Sequence, residues 1–241
     1  EEDLSDIDVP DVVPVLPLRG VVVFPAAIAP LLISRPSSLK AVEDAVEHKR
    51  PIALLAQQNP EDEQPTPEKL HRRGTAGRVL KVLRYPDGSV RILVQGIRRI
   101  EVSEFVRDEP FLEARVAALA DTNRSDAGID AARSRLTTRF AKFVSLSPQL
   151  PDELQMVVMN IDDPGKVADL VASNLNIHLS EKQELLALTD VAARLERLGT
   201  IVDREIELLE LGNKIQSDVQ SELSRNQREF YLRQQLRAIQ K

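Results

Sequence analysis

Gly74-Thr75-Ala76-Gly77-Arg78-Val79-Leu80-Lys81-Val82-Leu83-Arg84-Tyr85-Pro86-Asp87-Gly88-Ser89-Val90-Arg91-Ile92-Leu93-Val94-Gln95 is the stretch on which the fold turns. Two runs rich in β-branched residues flank Pro-Asp-Gly, where Pro86 is pre-set for the first corner of a turn and Gly88 is free to take positive φ. A β-hairpin is predicted. Upstream, Val12–Leu16, Gly20–Phe24, Ile28–Ile33 and Ile52–Gln57 are apolar runs of strand length bounded by breakers, and downstream Ile97–Phe105 and Phe111–Leu119 add two more. Pro14, Pro17 and Pro30 have no N–H to give a ladder, so their strands are expected at sheet edges or beside bulges.

One segment of this region departs from the strand pattern. In Pro36–Lys49, Leu39, Val42 and Val46 recur at spacings of three and four, with proline at the start and Pro51 just past the end, which predicts an amphipathic helix. Gln58–Lys69, with three prolines among acids and amides, reads as a surface loop. The expectation is a mostly antiparallel sheet or barrel carrying one helix.

After Ala120-Asp121-Thr122-Asn123 the hydrophobic period lengthens from two towards 3.6, and this is the expected domain boundary. Arg133–Val144, Pro151–Asn160, Pro164–Leu175 and Ser180–Leu188 are predicted helices, the last opened by a Ser180-x-x-Gln183 capping box. From Thr189 onward there is no proline. Val191, Leu195, Leu198, Val202, Ile206 and Leu209 form one stripe, and Leu208, Leu211, Ile215, Val219 and Leu223 form a second, displaced from it. One long helix is expected, or two meeting at a hinge at Gly212-Asn213, since an interior glycine costs about 1 kcal/mol. The fold class is thus α+β, divided as an acidic leader 1–11, a β-rich unit 12–120, a helical unit 121–188 and a long helix 189–241.

Composition narrows the chemistry. The first eleven residues carry six acids and no base; of 38 acids that leaves 32 against 32 Lys and Arg, so the body is neutral and makes no electrostatic case for nucleic acid as main partner. The leader itself is expected to be solvated. There is no Cys, hence neither disulfide nor thiolate chemistry. No apolar run is long enough to span a bilayer and the first residues do not have the form of a signal peptide, so a soluble, cytoplasmic protein is expected.

Gly165-Lys166 is the sole Gly-Lys and lacks the spaced glycines of a phosphate cradle. His48, His71 and His178 have no ligand spacing and read as surface or capping residues. Asp162-Asp163 and Glu61-Asp62-Glu63 read as solvated turns. No catalytic, cofactor-binding or metal-binding residue is assigned.

Three blocks carry a resemblance: Pro14-Val15-Leu16-Pro17-Leu18-Arg19-Gly20-Val21-Val22-Val23-Phe24-Pro25; the hairpin Leu83–Gly88 followed by Val94-Gln95-Gly96-Ile97-Arg98-Arg99; and Leu211-Gly212-Asn213-Lys214-Ile215-Gln216 with Asn226–Lys241. Together they resemble the N-terminal region of Lon proteases, and the likeness spans essentially everything from Pro14. It implies a PUA-like barrel or sheet followed by a helical bundle and a long helix leading towards an AAA+ ATPase. It further implies that the ATPase with its ATP and Mg²⁺, and the Ser–Lys peptidase, lie outside this stretch, which would itself be non-catalytic. The unbalanced basic run from Arg225 and its uncovered apolar residues agree with a chain that continues.

By that resemblance the β-rich unit recognises unfolded or damaged proteins and the helices join it to a homohexamer. Phe24, Pro25, Leu83, Tyr85 and Pro86 are the candidate substrate-binding patch, because they stand at strand ends and a hairpin turn where apolar groups are often partly uncovered. The competing reading of Phe24 and Leu83 is simple packing. The stripes of the long helix serve either an intrachain bundle or self-association. A nucleic-acid-binding module is the alternative from another class; DNA finds little support because no aromatic row for base stacking is present.

Overall fold

A computed structural model describes residues 7–86, 88–125 and 128–239. Most of the acidic leader, Asp87 of the hairpin turn and the final two residues lie outside the described residues, as do the side chains of Leu236, Arg237 and Ile239 within the block Asn226–Lys241.

The first half is a six-stranded sheet built from β1 (Val12–Leu18), β2 (Ile28–Ile33), β3 (Ile52–Ala56), β4 (Arg73–Arg84), β5 (Val90–Arg107) and β6 (Glu113–Ala118), with helix α1 (Pro36–Glu47) inserted after β2. The order is β2-β5-β4-β3-β1-β6, and β5 also pairs with β6, which closes five strands into a small barrel and leaves β2 as an outrigger on the first half of β5. All pairings are antiparallel except β1 with β3. Gly88 takes φ +84°, as the predicted turn requires.

Two strand expectations change. Ile97–Phe105 is no separate strand; it continues Val90–Gln95 in an 18-residue β5. Gly96 makes that continuity possible, since a Cβ there would stand 2.2 Å from the Phe24 carbonyl oxygen, which crosses over it. Gly20–Phe24 is not a strand at all. After β1 the chain turns at Gly20 and passes irregularly under the sheet, where the Thr75 hydroxyl donates to Val23 O at 2.6 Å and holds it. The prolines also sort differently. Pro30 does lie on the edge strand β2, but β1 is flanked on both sides; Pro14 meets only β6 and Pro17 only β3, so neither is asked for two ladder bonds.

The second half is helical: α2 (Ile129–Leu146), α3 (Glu153–Met159), α4 (Pro164–Asn174), α5 (Leu179–Ala187) and α6 (Val191–Ile239). Asp163 caps α4 by accepting from Lys166 N at 2.9 Å, worth about 1 kcal/mol. The expected capping box does not form. α5 starts one residue early, behind His178 with no side-chain cap, and Gln183 is buried and donates instead to Arg73 O in β4 at 2.8 Å. α6 is a single helix of 49 residues that runs through Gly212 and Asn213 as one element rather than two.

The halves share a core. One hydrophobic cluster places Val22, Phe24 and Ala56 from the β region among Leu136, Phe140, Val171, Leu195 and Val202 of the helices. Beside it buried Arg99, Asp169 and Arg194 meet the partly exposed Asp121. Arg99 of β5 holds Asp169 of α4 through both carboxylate oxygens, at 2.8 and 2.5 Å, while Arg194 of α6 holds Asp121 at 3.2 and 2.9 Å. Arg99 Nη1 also lies 3.7 Å from Asp121, and Arg194 Nε 3.8 Å from Asp169, so the two pairs are cross-linked. Arg99 also donates to Leu186 O and Arg194 to Leu188 O, at 2.9 and 3.0 Å, while Arg194 Nε is buried with no hydrogen-bond partner among the described residues. Removing one partner of such a pair strands a buried charge, at a cost of about 3–5 kcal/mol. Asp169→Ala is therefore expected to lower the unfolding free energy by that amount, read as a lower urea midpoint with an unchanged slope; a loss of less than about 1 kcal/mol would show that removing Asp169 strands no buried charge.

Candidate functional site

The register of β2, β5 and β4 determines which side chains share a face. Residues opposite each other in a sheet point the same way, so Leu32, Arg91 and Leu83 form one row, Pro30, Leu93 and Lys81 a second, and Ile28, Gln95 and Arg78 a third. The other side of the same strands, with Leu31, Ile33, Ile92 and Val94, packs into the barrel core against α1. The three rows therefore form the outer face. Ile28 is 57% and Leu32 62% exposed, and Leu83 and Tyr85 at the hairpin end are about two-fifths exposed. Arg91 lies over the Tyr85 ring at 5.4 Å. Among the nine row positions five are apolar, three are basic and none is acidic.

Of the five residues expected to form a patch, this face gathers three. Leu83, Tyr85 and Pro86 are exposed at the hairpin, and Pro25 is half-buried. Phe24 is fully buried. It cannot take part in a surface patch; it lies over Gly96, six residues along β5 from the hairpin end at Val90, or about 20 Å away at the rise of an extended strand. Ile28 and Leu32 take the place it was expected to fill. The sequence signal for them was weak, because Ile28–Ile33 is apolar on both faces and alternation could not say which side met solvent.

A second apolar surface follows α6. Its first stripe, from Val191 to Ile206, is buried in the shared core, whereas Leu208, Leu211, Ile215, Val219 and Leu223 are each more than half exposed, as are Phe230 and Tyr231. Gly212 lies in this exposed part, and a Cβ placed on it meets nothing within 4 Å. Of the histidines expected at the surface or as caps, His48 ends α1, His178 precedes α5 without a side-chain cap, and His71 is instead half-buried, with burial pushing its pKa down. Among the described residues no three His, Asp or Glu side chains are placed to hold a metal ion, and no helix is long and apolar enough to cross a membrane.

A closed barrel with an outrigger strand, fused through a common core to a bundle that ends in a long helix, defines a two-part α+β module presenting apolar surface from one sheet face and one helix. The family model described as the ATP-dependent protease La (LON) substrate-binding domain matches residues 12–204. The chain belongs to this family. It is 42% identical over 234 residues to a Lon protease of Dictyoglomus thermophilum and 39% identical over 237 residues to one of Trichlorobacter lovleyi, covering 97% and 98% of this chain but 29% of each relative. The chain thus spans less than a third of the length of these relatives, at the N-terminal part of Lon proteases. The fold is also that of the N-terminal domain of a Mycobacterium avium complex Lon protease, with a TM-score of 0.68 over 80% of this chain and 98% of that one at 19% identity. The corresponding domain from Xanthomonas campestris gives 0.57 at 21% identity.

Burial separates the candidate residues into two kinds, and stability measurements should do the same. Phe24→Ala is expected to cost about 3–5 kcal/mol through the cavity it leaves. Tyr85→Ser is expected to stay within about 0.5 kcal/mol, as exposed substitutions do. Thermal unfolding of both variants checks this, and equal losses would contradict the placement of Phe24.

Proposed function

We propose that this chain is the substrate-binding part of a Lon-type ATP-dependent protease, and that it captures unfolded or damaged proteins on the outer face of β2, β5 and β4. The observation that carries the reading is the composition of that face: large aliphatic side chains left in water, ringed by Arg78, Lys81 and Arg91 with no carboxylate in the rows. An unfolded chain exposes the apolar segments that such a surface can cover, and burial recovers about 25 cal/mol per Å². On this reading the chain performs no bond-breaking of its own. Peptide hydrolysis and the ATP and Mg²⁺ that drive unfolding belong to the remainder of a longer cytoplasmic protein that assembles as a homohexamer, with α6 delivering captured substrate towards the ring.

Binding of a permanently unfolded protein to Leu32→Ser/Tyr85→Ser tests the face. Affinity is expected to fall at least tenfold with the melting temperature unchanged, and undiminished affinity would remove this surface from the account. The alternative, a nucleic-acid-binding module, draws on the same three basic residues. The face offers one aromatic, Tyr85, and Arg91 already covers its ring, so a stacking platform is lacking. Steep salt dependence of binding to random DNA would favour that alternative.

The exposed stripe Leu208–Leu223 is proposed as a surface for self-association, with Gly212-Asn213 as a hinge between it and the buried root. Because nothing crowds Gly212, Gly212→Ala should stabilise the helix by about 1 kcal/mol. Slower amide hydrogen exchange around Gly212 is the expected readout, and unchanged exchange would argue against local opening there.

A further inference from the structure

β2 is the first strand in the sheet order and pairs only with β5, so one of its edges is free. Gly96 N donates to Ala27 O at 2.9 Å; counting on in steps of two, Ala29, Leu31 and Ile33 turn their main-chain groups towards β5. Ile28, Pro30 and Leu32 turn theirs outward. The free edge therefore offers donors at Ile28 and Leu32 and a carbonyl at each of the three, while Pro30, which has no N–H, costs the β5 ladder nothing.

Along this edge runs a cleft of about 320 Å³, bounded across from β2 by the end of β1 and by Val21. Buried Leu16, Leu18, Leu31 and Ile33 belong to the core cluster beneath it. Where β2 ends, Arg19, Arg35 and Ser38 line the same cleft. The hydrogen bonds of Arg35 go to neutral oxygens, Nε to Glu63 O at 2.7 Å and Nη2 to Gln57 Oε1 at 2.6 Å and Asp62 O at 3.5 Å, so no carboxylate balances its charge. Burial first, and the charge of Arg19 second, holds the pKa of Arg35 below the usual arginine value. Arg19 itself has one ion pair, a long 3.9 Å contact to the exposed Glu61.

α1 starts here, behind Arg35, with no side-chain cap and no acid in its first turn, which leaves its leading N–H groups without a counter-charge. Ser38, in that turn, is 5% exposed and lines the cleft. Arg19, Arg35 and Ser38 stand between this cleft, which no acid lines, and an adjoining wider one that they share with Glu63, Asp108 and Glu109. Two guanidinium groups and an uncapped helix start converge on the end of an open strand edge.

We propose that this cleft receives the C-terminal end of an extended polypeptide, which adds to the free edge of β2 with its terminal carboxylate held by Arg19, Arg35 and the first turn of α1. Because the anion seat lies at the C-terminal end of β2, the incoming strand runs parallel to β2. Its alternate side chains meet the apolar outer row of Pro30 and Leu32 on one side and the cleft floor on the other. A free phosphate would use the arginines but not the edge, and an internal loop of a chain would use the edge but leave the arginines unbalanced; a carboxyl terminus uses both. The inference rests on the reading that this chain binds unfolded polypeptides, and it adds the end of the polypeptide that is bound, its direction and the groups that hold it.

Fluorescence anisotropy with the full chain tests it, using a labelled decapeptide of alternating Val and Ser with a free C-terminal carboxylate and the same peptide as its C-terminal amide. The amide is expected to bind at least tenfold more weakly. Arg19→Gln, which alters an exposed side chain, and Ser38→Ala should each weaken the free acid while leaving the amide unchanged. N-methylation of alternate residues should abolish binding in one of the two phases. Equal binding of acid and amide, or indifference to both substitutions, overturns the carboxylate seat; indifference to N-methylation in both phases overturns strand addition. Competition by inorganic phosphate against the acid but not the amide supports a shared anion seat, and competition against both equally overturns it. A denatured protein bound through the outer face, measured in parallel with Leu32→Ser/Tyr85→Ser, reports separately on the broader substrate-binding reading.

Discussion

Two arginines and two aspartates, three of the four buried, set the relation between the halves of this molecule. Each ion alone would lose several kcal/mol of hydration on burial, and two-oxygen carboxylate pairing with one further carbonyl for each arginine offsets that loss. Arg99 comes from the barrel, Asp121 from the segment that leaves it, Asp169 from the bundle and Arg194 from the root of α6. The side chains can meet in one way only, so the barrel cannot slide on the bundle without parting opposite charges in an apolar setting. Phe24, threaded from the β region into the helical cluster, adds a steric lock beside the ionic one.

β5 is the second organiser. Its later half closes the barrel through β6 and supplies Arg99 to the charged seam, while its earlier half carries β2 and the outer apolar face. Gly96 sits where the two halves meet, and the chain crossing above it is the segment that dips into the bundle. The outer apolar face, barrel closure and the contact between barrel and bundle are thus mounted on one strand.

The elements with strong local signals were legible in the sequence. The hairpin at Pro86-Asp87-Gly88, α1 behind its proline and the helices of the second half follow from turn chemistry and period. What was not legible depended on contacts distant along the chain. Gly20–Phe24 has the composition of a strand, but the bundle claims its side chains. Ser180-x-x-Gln183 has the spacing of a cap, yet the Arg73 carbonyl competes for the glutamine and wins. Arg99 and Asp169 are 70 residues apart, and nothing local marks either as buried. Arg194 offered a faint clue, an arginine lying between Val191 and Leu195 on an apolar face. Of the candidate patch, the hairpin residues were found from their turn, whereas Ile28 and Leu32 became visible only once pairing with β5 assigned them a side.

The length of α6 also has a mechanical meaning. At 1.5 Å per residue its 49 residues measure about 73 Å, of which the part beyond Leu208 is some two-thirds. Clamped at Arg194 and free along most of its span, it is a cantilever: a tilt of roughly 10° at the clamp would sweep the far tip through about 8 Å or more, by the same helical rise. A small tilt of the root would thereby be geared up to a displacement the size of a side chain or larger, at a distance no direct contact could bridge.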